Sequence, residues 1–299
     1  MGNLTLKQLR YFKALAQHGH FGRAAEACAV SQPALSVQIK EMEETLGTPL
    51  LERLPRAIHL TAPGREVLKR AERILSEVDE LEDLARASGD RLAGRLRIGV
   101  IPTIAPYLLP AILGELTRKF PHVEFMFRET MTANLIRGIL KGDVDLAIVA
   151  LPISEPGLTE TPLFDENFVF VRPEADAAKP VPAPSRLREM RLLLLEEGHC
   201  FRDQALTFCD IPASAPRETL DGTNLSTLVQ MVSAGIGVTL IPEMAVPVET
   251  RSAKVSLAQF EAPSPSRTVG VVWRKTSPFD AHFRALSAVI KTAAPNQAH

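Results

Sequence analysis

Several things are scarce in this chain, and each scarcity narrows what it can be. Among 299 residues there are three cysteines, Cys28, Cys200 and Cys209, an odd number with no CxxC pair and no Cys/His cluster at zinc spacing. That argues against a disulfide scaffold and against a structural metal, and no motif asks for a cofactor. No apolar run reaches the roughly 18 residues a membrane-crossing helix needs, and Met1 to Arg10 has no apolar core like that of a signal peptide. No membrane partner is expected, and the cytoplasm is the expected compartment. A disulfide there is more often transient than structural. Net charge is also lacking, at −1, and residues 1 to 60 hold seven Lys and Arg against five acids. Any nucleic-acid surface must therefore be local. With 45% hydrophobic and 5% aromatic residues, the chain is long enough for two or three domains with cores of their own.

Two of the three cysteines fall in one stretch, Glu197 to Cys209. Cys200 is flanked by His199 and Arg202, two potential positive charges, and Arg202 to Phe208 is made mostly of residues a helix accepts. A thiol at a helix start beside such groups favours its thiolate. If the helix runs on to Cys209, the nine-residue separation spans ~13 Å along the axis, whereas a disulfide tolerates a Cα separation of at most ~7 Å. Joining these cysteines then requires the helix to unwind, which makes the stretch a candidate switch. The plainer reading is that each is a small buried hydrophobe.

Residues 4 to 46 read as three short helices. Leu6, Leu9, Phe12 and Leu15 form one stripe, and Phe21 to Cys28 is alanine-rich, with Cys28 on its apolar side. Ser31 is a good N-cap, Pro33 sits in the first turn, and Leu35, Ile39, Met42 and Leu46 form the next stripe before Gly47. The last helix carries Gln32, Ser36, Gln38 and Lys40 as a polar outer face, the layout of a helix-turn-helix. Leu50 to Arg53 and Ile58 to Leu60 suggest two strands around Pro55 and Arg56, a wing whose Arg53 and Arg56 can reach a DNA backbone. An alanine-packed three-helix bundle without DNA affinity gives the same periodicity. Thr61 caps a long helix through Pro63 to about Ser88, in which Val67, Ala71, Ile74, Val78, Leu81 and Ala85 make a heptad seam, read as a dimerising linker.

After Gly89-Asp90 strands alternate with helices. Leu96–Ile101, Val123–Phe127 and Leu146–Ala150 read as strands, separated by helices on Leu108 to Phe120 and Leu135 to Leu140, a βαβαβ pattern that predicts a parallel sheet. A second set follows: Phe168–Val171, Leu192–Leu195, the cysteine helix, a helix near Leu225 to Ser233, and Val238–Ile241. Strand Val269–Arg274 and a helix from about Pro278 to Thr292 close the chain, and Ala175–Pro184 reads as a surface loop. The expected fold class is α/β multidomain. A winged helix-turn-helix spans 1–62 and a linker helix 63–90. A two-lobed α/β effector domain resembling periplasmic-binding-protein folds spans 91–299, with lobe I about 91–163 and 268–299 and lobe II about 164–267. Thr103, Thr132 and His199-Cys200 each follow a strand, so this topology points three separate segments at one crevice.

Residues 1 to 90, through Ala24-Ala25, the run Ser31-Gln32-Pro33-Ala34-Leu35-Ser36-Val37-Gln38-Ile39, Leu51-Glu52-Arg53 and Thr61-Ala62-Pro63-Gly64, resemble the DNA-binding half of LysR-type transcriptional regulators. The likeness covers the full chain. Gly198-His199-Cys200-Phe201-Arg202-Asp203-Gln204 with Cys209, and Ile101-Pro102-Thr103 before Pro106-Tyr107-Leu108-Leu109-Pro110, resemble the family's peroxide-sensing members. The segments Asp210 to Asp221 and Ala175 to Pro184 follow the pattern less closely. The resemblance implies a homotetramer, a dimer of dimers, that activates antioxidant genes from operator half-sites on double-stranded DNA, working with RNA polymerase. It implies hydrogen peroxide as the signal, Cys200 as the reactive thiol and Cys209 as its resolving partner. Thr103, Thr132, His199, Arg202 and Asp203 then surround the sulfur, and glutaredoxin or thioredoxin resets it.

Two rivals remain. A regulator of the same family that binds a small metabolite in the crevice differs only in its trigger, and a thiol peroxidase leaves residues 1 to 90 without a purpose.

Overall fold

A capping box begins the first helix: Thr5 Oγ1 accepts from the Gln8 amide at 3.2 Å, while Gln8 Oε1 accepts from the Thr5 amide at 3.0 Å. The structure is a computed structural model that describes residues 4–54, 57–87, 92–211, 221–261 and 264–294. It divides into two compact units, Met1–Ala85 and Arg86–His299.

In the first unit, α1 (Leu6–His18), α2 (Phe21–Ala27) and α3 (Gln32–Leu46) pack around Phe12, Leu15, Leu35, Ile39 and Met42, all fully buried. Ser31 caps α3 through the Ala34 amide, and Gly47 ends it in the left-handed conformation. A hairpin of β1 (Leu51–Leu54) and β2 (Ala57–Leu60) follows, with Arg53 opposite Ile58. Arg56 and Pro55 lie outside the described residues. Thr61 Oγ1 accepts from the Gly64 amide at 2.9 Å and starts α4 (Ala62–Ala87). Gly64 is required there, because a Cβ would stand 2.1 Å from the Leu50 carbonyl oxygen.

The seam expected along α4 is divided. Ala71 and Leu75 are buried against the first unit's own core and Val67 and Leu68 pack beside them, whereas Ile74 is 40% and Leu81 67% exposed. Its first turns dock within the chain as far as Leu75, Val78 is half-buried, and Leu81 stands exposed.

The second unit contains a continuous path of strands in the order β4-β3-β5-β9-β6-β7, with β8 also on β6. The elements are β3 (Gly94–Val100), α5 (Ala105–Lys119), β4 (Val123–Glu129), α6 (Thr132–Lys141), β5 (Leu146–Leu151), β6 (Leu158–Pro173), α7 (Cys200–Phe208), α8 (Leu225–Ser233), β7 (Thr239–Pro242), α9 (Val246–Glu249), β8 (Val255–Ala258), β9 (Ser266–Arg274) and α10 (Asp280–Ala293). The fold is α/β, as the alternating pattern indicated, and the parallel pairing expected of the βαβαβ segment is found, within a sheet that is mixed as a whole. β3 pairs in parallel with β4 and β5, while every pairing of β6 and β9 is antiparallel. The reason is β6, a strand of 16 residues where the hydrophobic pattern marked only Phe168–Val171. Its first part pairs β9 through Asn167, with an irregularity between Pro162 and Phe164, and from Phe168 it pairs β7 and β8. One strand thereby joins two hydrophobic cores, one around Ile98, Ile148 and Trp273, the other around Phe170, Leu193 and Ile241. Leu192–Leu195 is not a full strand, making only parallel bridges from Leu192 to Val238 and from Leu195 to Gly222. The surface loop from Ala175 is bracketed by short 3-10 turns at Glu174–Asp176 and Pro184–Glu189.

Candidate functional site

Cys200 is the first residue of α7, at the end where backbone N–H groups without helical partners favour negative charge. His199 occupies the N-cap position, and Gly198 before it has φ +95°, which turns the chain from the Leu195 bridge into the helix. A Cβ on Gly198 would meet Met131 Sδ at 2.8 Å, so the turn also needs glycine for close approach. Across from it, β3 delivers Ile101, Pro102 and Thr103, and the start of α6 delivers Met131 and Thr132. These residues with Gly198, His199 and Cys200 line one small, tight pocket. Thr103, Thr132, His199 and Cys200, from three separate segments, thus face a common space.

The hydroxyls differ in what they have left to offer. Thr103 is 3% exposed, and its Oγ1 accepts from Arg267 Nη1 at 2.8 Å, so its own hydrogen remains available to donate. Thr132 Oγ1 is buried and has no hydrogen-bond partner among the described residues, which leaves it able to donate and to accept. An unsatisfied hydroxyl in such a place costs about 1–3 kcal/mol, which a hydrogen bond to a group entering the pocket would offset. His199 is buried, and burial pushes its imidazole below the ordinary value while nearby Glu196 opposes that shift. That direction favours the neutral ring near pH 7.

Arg202 and Asp203 are placed differently from the pocket-lining residues. Arg202 Nη1 donates to the Leu195 carbonyl at 2.7 Å and pairs with Asp221 Oδ2 at 3.0 Å, which holds the first turn of α7 against the core. Asp203 is exposed, and its carbonyl accepts from Thr207 Oγ1. Neither lines the pocket.

Sequence reasoning missed the group that organises the wall. Arg267, on β9, forms a fully buried pair with Glu166 on β6, Nε to Oε2 at 2.8 Å, and Nη2 donates to the Thr103 carbonyl at 2.9 Å. The other carboxylate oxygen accepts from the Met244 amide at 2.8 Å. The guanidinium lies over the Phe201 ring at 5.7 Å, beside the residue that follows Cys200 in the chain. Lone charges on strands read as solvated positions, so the sequence carried no signal for this cluster.

Cys28, Cys200 and Cys209 are not joined by disulfides. Cys200 packs against the core around Ile98 and Trp273, whereas Cys209, fully buried at the C-terminal end of α7, belongs to the other. With α7 intact, nine residues of helix separate them, ~13 Å of axial rise. Cys28 sits beside the core of the first unit, where burial pushes its thiol up.

On the first unit, Ser31, Gln32 and Pro33 open α3 at its exposed N-terminus, with Ser36 and Gln38 half-buried on its flanks. Gln38 Nε2 donates to Glu41 Oε2 at 2.7 Å, and exposed Lys40 pairs with Glu44 at 3.5 Å. Arg53 is placed only by its position on β1.

Residues 6–65 match the bacterial regulatory helix-turn-helix protein, lysR family, and residues 89–295 match the LysR substrate binding domain. The chain is 42% identical to a probable hydrogen peroxide-inducible genes activator of Streptomyces viridosporus, over 97% of this chain and 94% of that one. It is 40% identical to the DNA-binding transcriptional dual regulator OxyR of Escherichia coli, over 96% and 95%. Among solved structures, full-length OxyR of Pseudomonas aeruginosa with a cysteine-to-aspartate substitution matches at TM-score 0.76 and 36% identity, over 100% of both chains. A hydrogen peroxide-bound cysteine mutant of Corynebacterium glutamicum OxyR matches at TM-score 0.65 and 33% identity, over 98% and 94%.

Proposed function

The chain belongs to the LysR family of transcription regulators, and from that premise we propose that it is a DNA-binding regulator of the OxyR type that senses hydrogen peroxide through Cys200. One observation carries the reading: Cys200 shares its pocket with two threonine hydroxyls placed to orient an oxygen ligand, while α7 keeps it away from Cys209.

Peroxide enters between Thr103 and Thr132. The Cys200 thiolate attacks one oxygen, the O–O bond breaks, and the second oxygen leaves as hydroxide, which takes a proton to become water. Neutral His199 and the Thr103 hydroxyl, held by Arg267, supply hydrogen bonds to the departing oxygen. The cysteine is left as sulfenic acid. Cys209 then attacks that sulfur, forming the disulfide and releasing a second water, once α7 has unwound enough to bring the sulfurs together. A dithiol reductant of the glutaredoxin or thioredoxin class returns both thiols. The disulfide stabilises a different packing of the second core, and the altered assembly, a homotetramer, changes half-site spacing or bending on DNA. RNA polymerase recruitment at antioxidant genes follows from that change.

The pocket weighs against the metabolite reading, because it is closed in this state and leaves a metabolite-sized molecule no room. Thiol trapping with mass spectrometry during a peroxide titration of the DNA-bound protein is the test. Cys200 is expected to be modified first, a Cys200–Cys209 disulfide to follow, and Cys28 to stay reduced; modification of Cys28 or Cys209 before Cys200 would overturn the scheme.

A further inference from the structure

The outermost residue on the first half of α3 is apolar. Leu35, Ile39 and Met42 face the core, and at roughly 100° per residue Val37 stands about 200° around the helix from Leu35. It is 54% exposed. Pro33, one turn earlier, and Ala34 are also exposed, and these three residues with Lys7, Tyr11, Val30 and Gln38 line a shallow groove. The Lys7 ammonium lies 5.6 Å over the Tyr11 ring at this groove, a cation able to meet a backbone phosphate. The polar residues Ser36 and Gln38 on either side of Val37 are half-buried, less exposed than it is.

A helix that enters the major groove meets hydrogen-bonding base edges everywhere except at one group, the C5-methyl of thymine, which is the apolar feature of that groove. We propose that Val37, with Pro33 and Ala34 beside it, selects a thymine in each operator half-site by packing on that methyl group. This rests on the reading of α3 as the DNA-contacting helix. A β-branched side chain suits the role, since its restricted rotamer in a helix presents two methyl groups at little cost in entropy. A polar side chain there would pair with several base edges instead.

The test uses the full-length protein under reducing conditions and duplexes that it enriches from a randomised library. Each enriched duplex is resynthesised with uracil replacing one thymine at a time, which removes the methyl group alone. Wild type is expected to lose affinity about fourfold at one thymine per half-site, the equivalent of one buried methyl group. Val37→Ala is expected to bind thymine and uracil duplexes equally at that position while keeping its other preferences. Val37 is exposed, so the variant keeps the fold. Equal sensitivity to uracil in both proteins, or none in either, would overturn the proposal, as would a Val37→Ala variant whose only change is in self-association. Failure of the library to yield any enriched sequence would remove the DNA-reading premise itself and the proposal with it.

Discussion

Arg267 is the residue on which the pocket wall depends, because one guanidinium satisfies Glu166, both oxygens of Thr103 and the Phe201 face. Replacing it with methionine leaves a buried carboxylate without its cation, a loss of about 3–5 kcal/mol. Urea unfolding of Arg267→Met is expected to show that drop through a lower midpoint. His199 makes a separate prediction. Burial lowers its folded-state value, so below about pH 6.5 the unfolded chain binds a proton that the folded chain resists, and stability falls as the solution is acidified. Thermal melts between pH 7.5 and 5.5 are expected to fall more steeply for wild type than for His199→Gln. Replacing Cys200 by serine is expected to abolish the transcriptional response to peroxide while leaving DNA binding in place, read by footprinting with and without peroxide.

Among the elements, α7 is the one that the proposed disulfide would require to give way. Its nine residues are too few for a helix to stand alone in water, and it is held by burial of Phe201, Ala205, Leu206 and Cys209 in the second core and by the Arg202 bond to the Leu195 carbonyl. Truncating Leu206 to alanine removes about 2–5 kcal/mol of that packing. The disulfide of Leu206→Ala is expected to form faster after the sulfenic acid appears, while the first oxidation step changes less, as stopped-flow and quenched thiol trapping would show. Unchanged disulfide kinetics would mean that unwinding of α7 does not limit the second step. Much of α7 was legible in advance: the helix-tolerant run from Arg202 to Phe208 indicated a helix starting by the cysteine, and it spans Cys200–Phe208 with Cys209 as its cap. The length of β6 was not, because polar Asp165-Glu166-Asn167 interrupts the apolar pattern although Glu166 is buried.

At the scale of the molecule, the exposed part of the α4 stripe is where a second copy of the chain is expected to pack. Ile74 and Leu81 are exposed in a single chain, and a heptad seam of this kind is buried when a second helix packs on it. Leu81→Asp is expected to shift the sedimentation coefficient toward smaller species and to weaken binding to a two-half-site duplex more than to one half-site. The same substitution leaving the assembly intact would place dimerisation elsewhere.

The order of helices, the winged head, the long linker helix and the alternating α/β pattern were set by local periodicity and capping residues, which act within a few positions along the chain. The cysteine spacing, too, is a property of the sequence, as is its conflict with an intact helix. What only the tertiary structure decided is which groups surround the sulfur. Thr103 and Thr132 meet because the neighbouring strands β3 and β4 end together, His199 joins them from the segment after the Leu195 bridge, and Arg267 reaches Glu166 across 101 positions only because β6 and β9 run antiparallel side by side. Pairing of that kind arises from burial and hydrogen bonding between segments distant in sequence, so no window of the chain contains it.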